Sequence, residues 1–417
     1  MRLSRLSLPL IAVATTAAIA APVAGATGFW PDRSHPTAPP VQTPTLVGRA
    51  TISATLFLPG PISGTALGTT PVNGVTPPFA GQPIPGFSGI LQEPDGTILG
   101  LPDNGFGAKA NSADYLLQLQ YVEPNWKTAA PPTSPRTSGN ARVKRTVRLS
   151  DPWKLAGFPL ARVDRQLTGA DFDIESIQPA PLGFHWIGDE FGPSVLLVDP
   201  WGRLAAKPIP LPGVKSPFSP QLAVGETPTL PASGGFEAMA QLPGGRYLLP
   251  ITEKALTADP DPSRRVIHQL DTLRHRYTDR TWTYRTDEPT GLVADAQALD
   301  GHRLLILERD DFEGAKAAVK KVYAVDLRVT GADGSLTKTL VADLLNLANP
   351  GVTQETPGVY GLGNPFKFAL QSVESLLPVK GNRLLLASDN NFPFSNGRRA
   401  GTPDDTELIQ VQLPKAP

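Results

Sequence analysis

The clearest copy of a recurring motif reads Asp173-Ile174-Glu175-Ser176-Ile177, followed further along the chain by Trp186-Ile187-Gly188-Asp189-Glu190-Phe191-Gly192-Pro193. The two segments have the form of short strands, the first opened and the second closed by acidic residues. Similar pairs recur along the sequence, and their first segments begin at Phe87, Gly235, Val293 and Ser372. A repeat of short strand pairs over tens of residues is typical of a radial or stacked architecture.

The strand-like runs around these pairs fall into groups at residues 88–149, 176–210, 236–284, 294–342 and 373–413. Each group contains four runs except the last, which contains three. Residues 49–58 have the alternation of a strand and would supply the missing outer strand of the last group. A propeller that is closed in this way has no open edge. The sequence therefore predicts an all-β fold, a β-propeller with five four-stranded blades closed by an N-terminal strand.

Two other architectures stay open at this point. A propeller with six blades is possible if residues 125–171 or 346–367 contain irregular strands. A pair of β-sandwiches is the main alternative fold, but it would not explain why the acidic motif recurs.

The composition excludes several classes of function. The chain has 38 Lys and Arg and 38 Asp and Glu, so its formal net charge is zero, and no basic field would attract nucleic acid. Cysteine is absent, which excludes thiol catalysis, cysteine-ligated zinc and stabilising disulfides. A hydrophobic content of 40% is sufficient for a sizeable core.

The N-terminal residues have the pattern of a secretory signal. Arg2 and Arg5 precede an apolar run at residues 8–21, and Ala24-Gly25-Ala26 forms a cleavage site of the A-x-A type. We expect a signal peptide at 1–26, a Pro- and Thr-rich tether at 27–48 and one propeller domain at 49–417. The expected protein is exported, periplasmic or extracellular, and has no membrane span after cleavage. An uncleaved N-terminal anchor is the alternative.

In a propeller, the start of the first strand and the end of the second strand of each blade reach the same face. The acidic motifs should therefore form a ring of carboxylates around one mouth of the central channel. Hard oxygen ligands without cysteine suit Ca²⁺ or Mg²⁺, and we expect Ca²⁺. The predicted metal ligands are Asp189, Glu190, Glu308, Asp310 and Asp389.

Roles can also be predicted for the remaining polar residues of the motifs. Glu190, Glu308 and Asp310 are the predicted catalytic residues, and Arg309, Lys254 and Asn390 are predicted to bind an anionic substrate. Glu175, Glu237 and Glu374 each lie within the apolar run of a first strand. They either line the channel or bond to the backbone of a neighbouring blade. Asp103 and Asp295 are predicted to be structural or channel-lining in the same way.

Other common catalytic patterns were not found in the sequence. No Gly-x-Ser-x-Gly elbow precedes a helix, no Walker loop or dinucleotide fingerprint occurs, and the five histidines show no close metal-binding spacing. A covalent serine mechanism is therefore unsupported.

The motifs resemble those of the family described as "esterase-like activity of phytase", or phytase-like. The resemblance covers about residues 87–413, and the matching segments keep the family's order. They are Asp173-x-Glu175-Ser176-Ile177, Trp186-x-x-Asp189-Glu190-x-Gly192-Pro193, Gly235-Phe236-Glu237-Ala238, Leu307-Glu308-Arg309-Asp310, Val373-Glu374-Ser375 and Ser388-Asp389-Asn390-Asn391. The resemblance implies an exported propeller-like domain with phosphoesterase or esterase activity, and it assigns no catalytic residues.

Together, the acidic ring and the resemblance favour a Ca²⁺-dependent phosphoesterase or esterase-like hydrolase. Its substrate would be a small-molecule phosphate ester or another ester. Two alternatives remain, namely a non-catalytic propeller that binds a ligand or partner and holds a structural cation, and a lactonase-like hydrolase.

Overall fold

The computed structural model describes residues 43–130 and 137–417. The predicted signal peptide and residues 27–42 of the predicted tether lie outside these ranges. None of the helices within the described ranges has both the length and the apolar character that a membrane span requires.

The strands form one small ribbon and five four-stranded antiparallel sheets. The ribbon pairs β2 (Phe57–Leu58) with β3 (Gln82–Pro83). Blade 1 contains β4 (Gly89–Gln92), β5 (Ile98–Leu101), β6 (Gln118–Glu123) and β7 (Arg142–Arg148). Blade 2 contains β8 (Ile174–Pro179), β9 (His185–Asp189), β10 (Ser194–Val198) and β11 (Ile209–Pro210).

The other three blades follow in chain order. Blade 3 contains β12 (Ala238–Gln241), β13 (Tyr247–Ile251), β14 (Arg264–Asp271) and β15 (Arg276–Arg285). Blade 4 contains β16 (Leu292–Ala298), β17 (Arg303–Arg309), β18 (Lys320–Thr330) and β19 (Leu336–Asp343). Blade 5 contains β20 (Ser372–Val379), β21 (Arg383–Asp389), β22 (Thr406–Gln412) and β1 (Thr45–Ile52). Short 3-10 turns at Thr65–Leu67, Pro181–Gly183 and Gly314–Lys316 complete the described elements.

The first strands of the blades form a closed ring. β4 contacts β8, β8 contacts β12, β12 contacts β16, β16 contacts β20, and β20 returns to β4. The prediction of a five-bladed propeller is confirmed, and the described residues contain no sixth blade. The segment 125–171, where an extra blade was possible, instead contains β7 of blade 1.

The outermost strand of blade 5 comes from the beginning of the described chain. β1 pairs antiparallel with β22, from Thr45 opposite Gln412 to Ile52 opposite Thr406. This strand starts and ends earlier than the expected 49–58, because residues 57–58 pair with β3 instead.

The core lies between the blades, and both faces of each sheet contribute to it. On β21, Leu384 and Leu386 pack with residues of blade 4, whereas Leu385 and Ala387 pack with residues of blade 1. Successive side chains of a strand point to opposite faces, so each blade is buried on two sides. The middle strands accordingly read as nearly continuous apolar runs.

Polar side chains of the inner strands join neighbouring blades. Ser375 Oγ of blade 5 donates to the carbonyl of Phe87, 2.7 Å away beside blade 1, and Ser176 Oγ of blade 2 donates to that of Phe236, 3.4 Å away beside blade 3. In blade 4 the corresponding residue is Asp295, whose Oδ2 accepts the backbone N–H of Leu376 in blade 5 at 2.7 Å. One position of the inner strand therefore joins three pairs of neighbouring blades.

A buried ion cluster fixes the closing strand. Glu407 of β22 accepts hydrogen bonds from Arg49 of β1 at 2.8 and 3.0 Å, and from Arg398 at 2.7 and 3.0 Å. Burial alone would raise the pKa of Glu407, but the two guanidinium groups outweigh it and lower the pKa to about 2. Glu407 is 1% exposed, so its negative charge is compensated by these two arginines and not by water.

We expect Glu407→Gln to destabilise the protein by about 3–5 kcal/mol, because it leaves two arginines without their buried counter-charge. In the wild type, the stabilisation from Glu407 is complete above its usual pKa of 4.5 and is lost as the pH falls towards about 2. Urea unfolding at neutral pH and near pH 3 measures both effects. The control is Glu288→Gln, since Glu288 is exposed. Equal urea midpoints for the two variants at neutral pH would contradict the assignment.

Candidate functional site

A pocket of about 190 Å³ lies at one mouth of the channel, where first strands begin and second strands end. Nine of the described residues that line it carry carboxylates, and two are basic. The acids are Asp103, Asp173, Glu175, Glu190, Glu237, Glu253, Asp311, Glu374 and Asp389, and the basic residues are Lys254 and Arg309. The predicted convergence of acids on one face is therefore present in the structure.

Every blade contributes one residue from the same position at the end of its second strand. In blade 2, Ser176 of the first strand pairs with Gly188 of the second strand, and Glu190 follows two residues after Gly188. The other four blades have a residue at the equivalent position. Residues two apart on a strand share a face, so the five side chains reach the same pocket. They are Asp103, Glu190, Glu253, Arg309 and Asp389.

Bulges in the first strands bring further acids into the pocket. The register of β8 shifts between Ile174 and Ser176, and that of β20 shifts between Val373 and Ser375. A bulge places an extra residue opposite one partner and turns its side chain, and the extra residues here are Glu175 and Glu374. β16 has the same shift between Val293 and Asp295, but its bulge residue is Ala294, so blade 4 supplies no acid at this position.

Blade 3 supplies its glutamates through a shared backbone contact. The N–H groups of Glu237 and Glu253 both donate to the carbonyl of Gly235, at 3.0 and 2.8 Å. Gly235 itself lies against the end of the second strand of blade 2, where an added Cβ would come within 2.0 Å of the carbonyl oxygen of Glu190. The glycine therefore allows three pocket acids from two blades to approach one another.

The two basic residues of the pocket are in contact with its acids. Arg309 Nη2 lies 2.9 Å from Glu253 Oε1, 2.8 Å from Glu374 Oε1 and 3.7 Å from Glu237 Oε1. Lys254 Nζ donates to the carbonyl of Ser233 at 2.9 Å and lies 3.1 Å from Glu253 Oε2, without the alignment of a hydrogen bond. Arg309 is 5% exposed, whereas the side chain of Lys254 is about one-third exposed at the rim.

Burial and mutual repulsion make the ionised forms of these acids costly. Burial is the largest cause for each acid, and repulsion from neighbouring carboxylates adds to it for every acid except Asp173, whose hydrogen bonds act in the opposite direction. The acids whose pKa is raised above the usual value are Asp103, Asp173, Glu175, Glu190, Glu237, Glu374 and Asp389. Burial alone would lower the pKa of Arg309, but Glu374, Glu253 and Glu237 outweigh it and raise the pKa.

Three sets of acids have the spacing that a metal ion requires, with one oxygen from each member within 4.8 Å of the others. The sets are Asp103 with Asp173 and Glu175, Glu175 with Glu237 and Glu374, and Glu190 with Glu237 and Glu253. Glu237 Oε1 and Glu253 Oε2 are buried and accept no hydrogen bond. All the donors are hard carboxylate oxygens, which suit Ca²⁺ or Mg²⁺.

The structure places two of the predicted catalytic residues outside the pocket. Glu308 lies between blades 3 and 4, where it accepts hydrogen bonds from Tyr284 and Lys338. Asp310 accepts the backbone N–H of Val319 at 2.9 Å and pairs with Lys320 at 2.8 Å, so it closes the loop between β17 and β18. Side chains alternate along β17, and therefore Arg309 faces the pocket while its two neighbours do not.

Three further predicted residues also lie outside the pocket lining. Asp189 accepts the N–H groups of Asp173 at 3.1 Å and Gly192 at 2.9 Å, and burial raises its pKa to about 7. Asp295 bonds to the backbone of blade 5, and burial raises its pKa to about 8. Asn390 donates to the carbonyl of Ile84 at 3.3 Å. Each of these side chains is used to hold backbone groups.

The other predicted residues do line the pocket. They are Asp103, Glu175, Glu190, Glu237, Lys254, Arg309, Glu374 and Asp389. Asp173 and Glu253 line it as well, although they were not among the predicted ligands. For Glu253 the signal was its equivalence to Glu190 and Asp389 in the strand repeat. Ser233 and Gln371 come from connections outside the strands, and no motif in the sequence marked them.

Comparison with known proteins identifies the family. The family model described as "Phytase-like: Esterase-like activity of phytase" matches residues 82–392, which is more than half of the chain. The chain therefore belongs to this phytase-like family, and the resemblance seen in its motifs is confirmed. No curated protein matches the chain.

Several solved structures show a distant likeness to the chain. Hydrazine synthase of Kuenenia stuttgartiensis has 14% identity and a TM-score of 0.34, over 74% of this chain and 78% of that one. A luciferin-regenerating enzyme has 9% identity and a TM-score of 0.35, over 78% of this chain and 92% of that one. The Dos1 propeller has 8% identity and a TM-score of 0.31, over 78% and 67%. A likeness at these values supports no statement about function. The propeller is identified from the five sheets of the chain itself.

We expect Gly235→Ala to distort the pocket, because the new methyl group would overlap the carbonyl of Glu190 in the adjoining blade. The cost should be about 1–3 kcal/mol or more, as for other overpacked sites. Thermal unfolding checks this against Gly301→Ala, where an added Cβ meets nothing within 4 Å. If both variants unfold at the same temperature, Gly235 does not position the pocket.

Proposed function

We propose that this chain is an exported, metal-dependent hydrolase that cleaves a small phosphate ester, or a related ester, with calcium bound at the acidic mouth of the propeller. The observation that carries the proposal is the set of buried carboxylates around one pocket, which includes two oxygens without a hydrogen-bond partner. Membership of the phytase-like family supports ester chemistry.

A divalent cation fits the donors that line this pocket. Glu237 Oε1 and Glu253 Oε2 belong to one set of three acids with ligand spacing, and both residues are 3% exposed. Each oxygen lies near one cationic nitrogen, Lys254 Nζ at 3.1 Å from Glu253 and Arg309 Nη2 at 3.7 Å from Glu237, but neither accepts a hydrogen bond. A buried anionic oxygen without a hydrogen bond is destabilising, and a bound cation would supply a direct ligand interaction. Calcium is proposed over zinc or copper because neither histidine nor cysteine belongs to these sets.

A bound divalent cation would supply charge neutralisation and polarisation of a phosphoryl or carbonyl oxygen. Glu190 is suited to accept the proton of an attacking water, because burial and the nearby Glu253 and Asp173 raise its pKa. Ser233 Oγ donates to Glu190 Oε1 at 2.9 Å and fixes the direction of the carboxylate.

The remaining roles follow from what each side chain already contacts. Lys254 at the rim can turn its exposed ammonium group towards the anionic part of a substrate. Arg309 already faces Glu253 and Glu374, so its main role in this proposal is to hold the acids together. Glu308, Asp310 and Asn390 have no place in the proposed chemistry, because their side chains lie outside the pocket.

One observation favours a second candidate, a non-catalytic binding propeller with a structural cation. Arg309 of blade 4 connects Glu253 of blade 3 with Glu374 of blade 5, so charge in this pocket already links three blades. A cation could serve the same purpose without any reaction.

Export is proposed from the sequence of residues 1–26. Mass spectrometry of the protein recovered from the periplasm or medium of the source cells would show a start near residue 27. An intact N-terminus on the recovered protein would reject cleavage.

The hydrolase proposal is tested with the purified full chain in calcium and in excess chelator. The substrates are p-nitrophenyl phosphate, phytate, a simple carboxyl ester and a lactone. We expect calcium-dependent hydrolysis of a phosphate ester, and we expect Glu190→Gln to lower kcat by about 10²–10⁴-fold, as for loss of a general base. Glu288→Gln, an exposed substitution, is the matched control.

The outcomes separate the candidates. Calcium binding without hydrolysis of any substrate would favour the binding propeller, and hydrolysis of the lactone alone would favour a lactonase-like enzyme. A chain that neither binds calcium nor hydrolyses an ester would reject the proposal.

A further inference from the structure

One blade differs from the other four in the residue that it contributes to the acidic pocket. At the equivalent end of the second strand, blades 1, 2, 3 and 5 carry Asp103, Glu190, Glu253 and Asp389, but blade 4 carries Arg309. The pairing of β16 with β17 has the same bulge and register as the corresponding strand pairs of blades 2 and 5, so the guanidinium enters the pocket from a position that is acidic in those blades.

The contacts of Arg309 are those of a bridging cation. Its Nη2 atom lies 2.9 Å from Glu253 and 2.8 Å from Glu374, and these glutamates come from blades on either side of blade 4. Glu237 also lies 3.7 Å from the same nitrogen. One positive atom is thus surrounded by three carboxylates, each at most 6% exposed.

The guanidinium does not complete this site. Glu237 Oε1 and Glu253 Oε2 are buried and accept no hydrogen bond, and Arg309 Nε donates none. A planar fork donates in fixed directions, whereas a calcium ion accepts oxygen ligands from many directions. Both oxygens lie near a cationic nitrogen, Lys254 Nζ for Glu253 and Arg309 Nη2 for Glu237, without accepting a hydrogen bond from it, and both residues have the spacing of metal ligands.

We propose that Arg309 takes the place of one divalent cation in the pocket. It provides the positive charge that holds Glu237, Glu253 and Glu374 together, and the chain consequently binds one divalent cation fewer than its carboxylates could hold. This inference rests on the proposed function for the idea that the pocket binds calcium, but it concerns the number of ions and not the reaction.

The test compares calcium binding by the full-length wild type and Arg309→Met, measured by isothermal titration calorimetry. We expect Arg309→Met to bind one more calcium ion than the wild type. Without calcium its melting temperature should fall below that of the wild type, and added calcium should recover much of the difference. Arg309→Lys, which keeps a positive charge, should bind the same number of ions as the wild type.

Arg328→Met is the matched control, since Arg328 also pairs with a carboxylate, Asp326, but at the exposed surface. It should leave the number of bound calcium ions unchanged. Equal numbers of ions for the wild type and Arg309→Met would overturn the inference, and so would a gain of one ion in Arg328→Met. The difference between variants can be read whether or not the wild type hydrolyses an ester, so failure of the hydrolase proposal stays distinguishable.

Arg309→Met could fail to fold because three buried acids then face one another. In that case the variant is refolded from denaturant with and without calcium, and the yield of folded protein is compared. Recovery of folded protein only with calcium supports the inference. Failure in both conditions, while Arg309→Met/Glu374→Gln folds without calcium, would show that an ion does not substitute for the arginine and would overturn it.

Discussion

Like charges that are held close together and away from water repel one another, and the acidic pocket is built around this repulsion. Burial raises the pKa of seven of its carboxyl groups, and repulsion from neighbouring carboxylates adds to this for all of them except Asp173. The closed ring of inner strands prevents the acids from moving apart, since displacing one strand disturbs the next. Arg309 offsets part of the negative charge, and the remainder is what makes the pocket a candidate site for cations.

On two of the inner strands, one residue faces the pocket and the next residue bonds to the neighbouring blade. Glu175 and Glu374 sit in bulges and face the pocket, whereas Ser176 and Ser375 directly after them bond to the backbone beside the next blade. The residues that give the pocket its charge are therefore adjacent in sequence to the residues that join the blades.

Much of the fold could be predicted because each blade repeats the same pair of short strands bounded by polar residues, and this repeat can be recognised in the sequence. The face on which an acid lies is harder to predict, since a shift of one residue reverses it. Asp189 and Glu308 were expected in the pocket together with Glu190 and Arg309, but only Glu190 and Arg309 line it. The bulge before Ser176 is set by pairing in the folded sheet, and no residue type in the sequence marks it. Only the folded register shows that Arg309 stands at an acidic position.

The closing strand has a consequence for how the molecule is made. β1 pairs with β22, and Arg49 bonds to a glutamate 358 residues away in the sequence. During synthesis from the N-terminus, β1 leaves the ribosome long before its partner exists. Its backbone edge stays available to other chains until the last strand arrives. Contacts between such distant residues form slowly, so the interval before ring closure is when this protein is most exposed to misassembly.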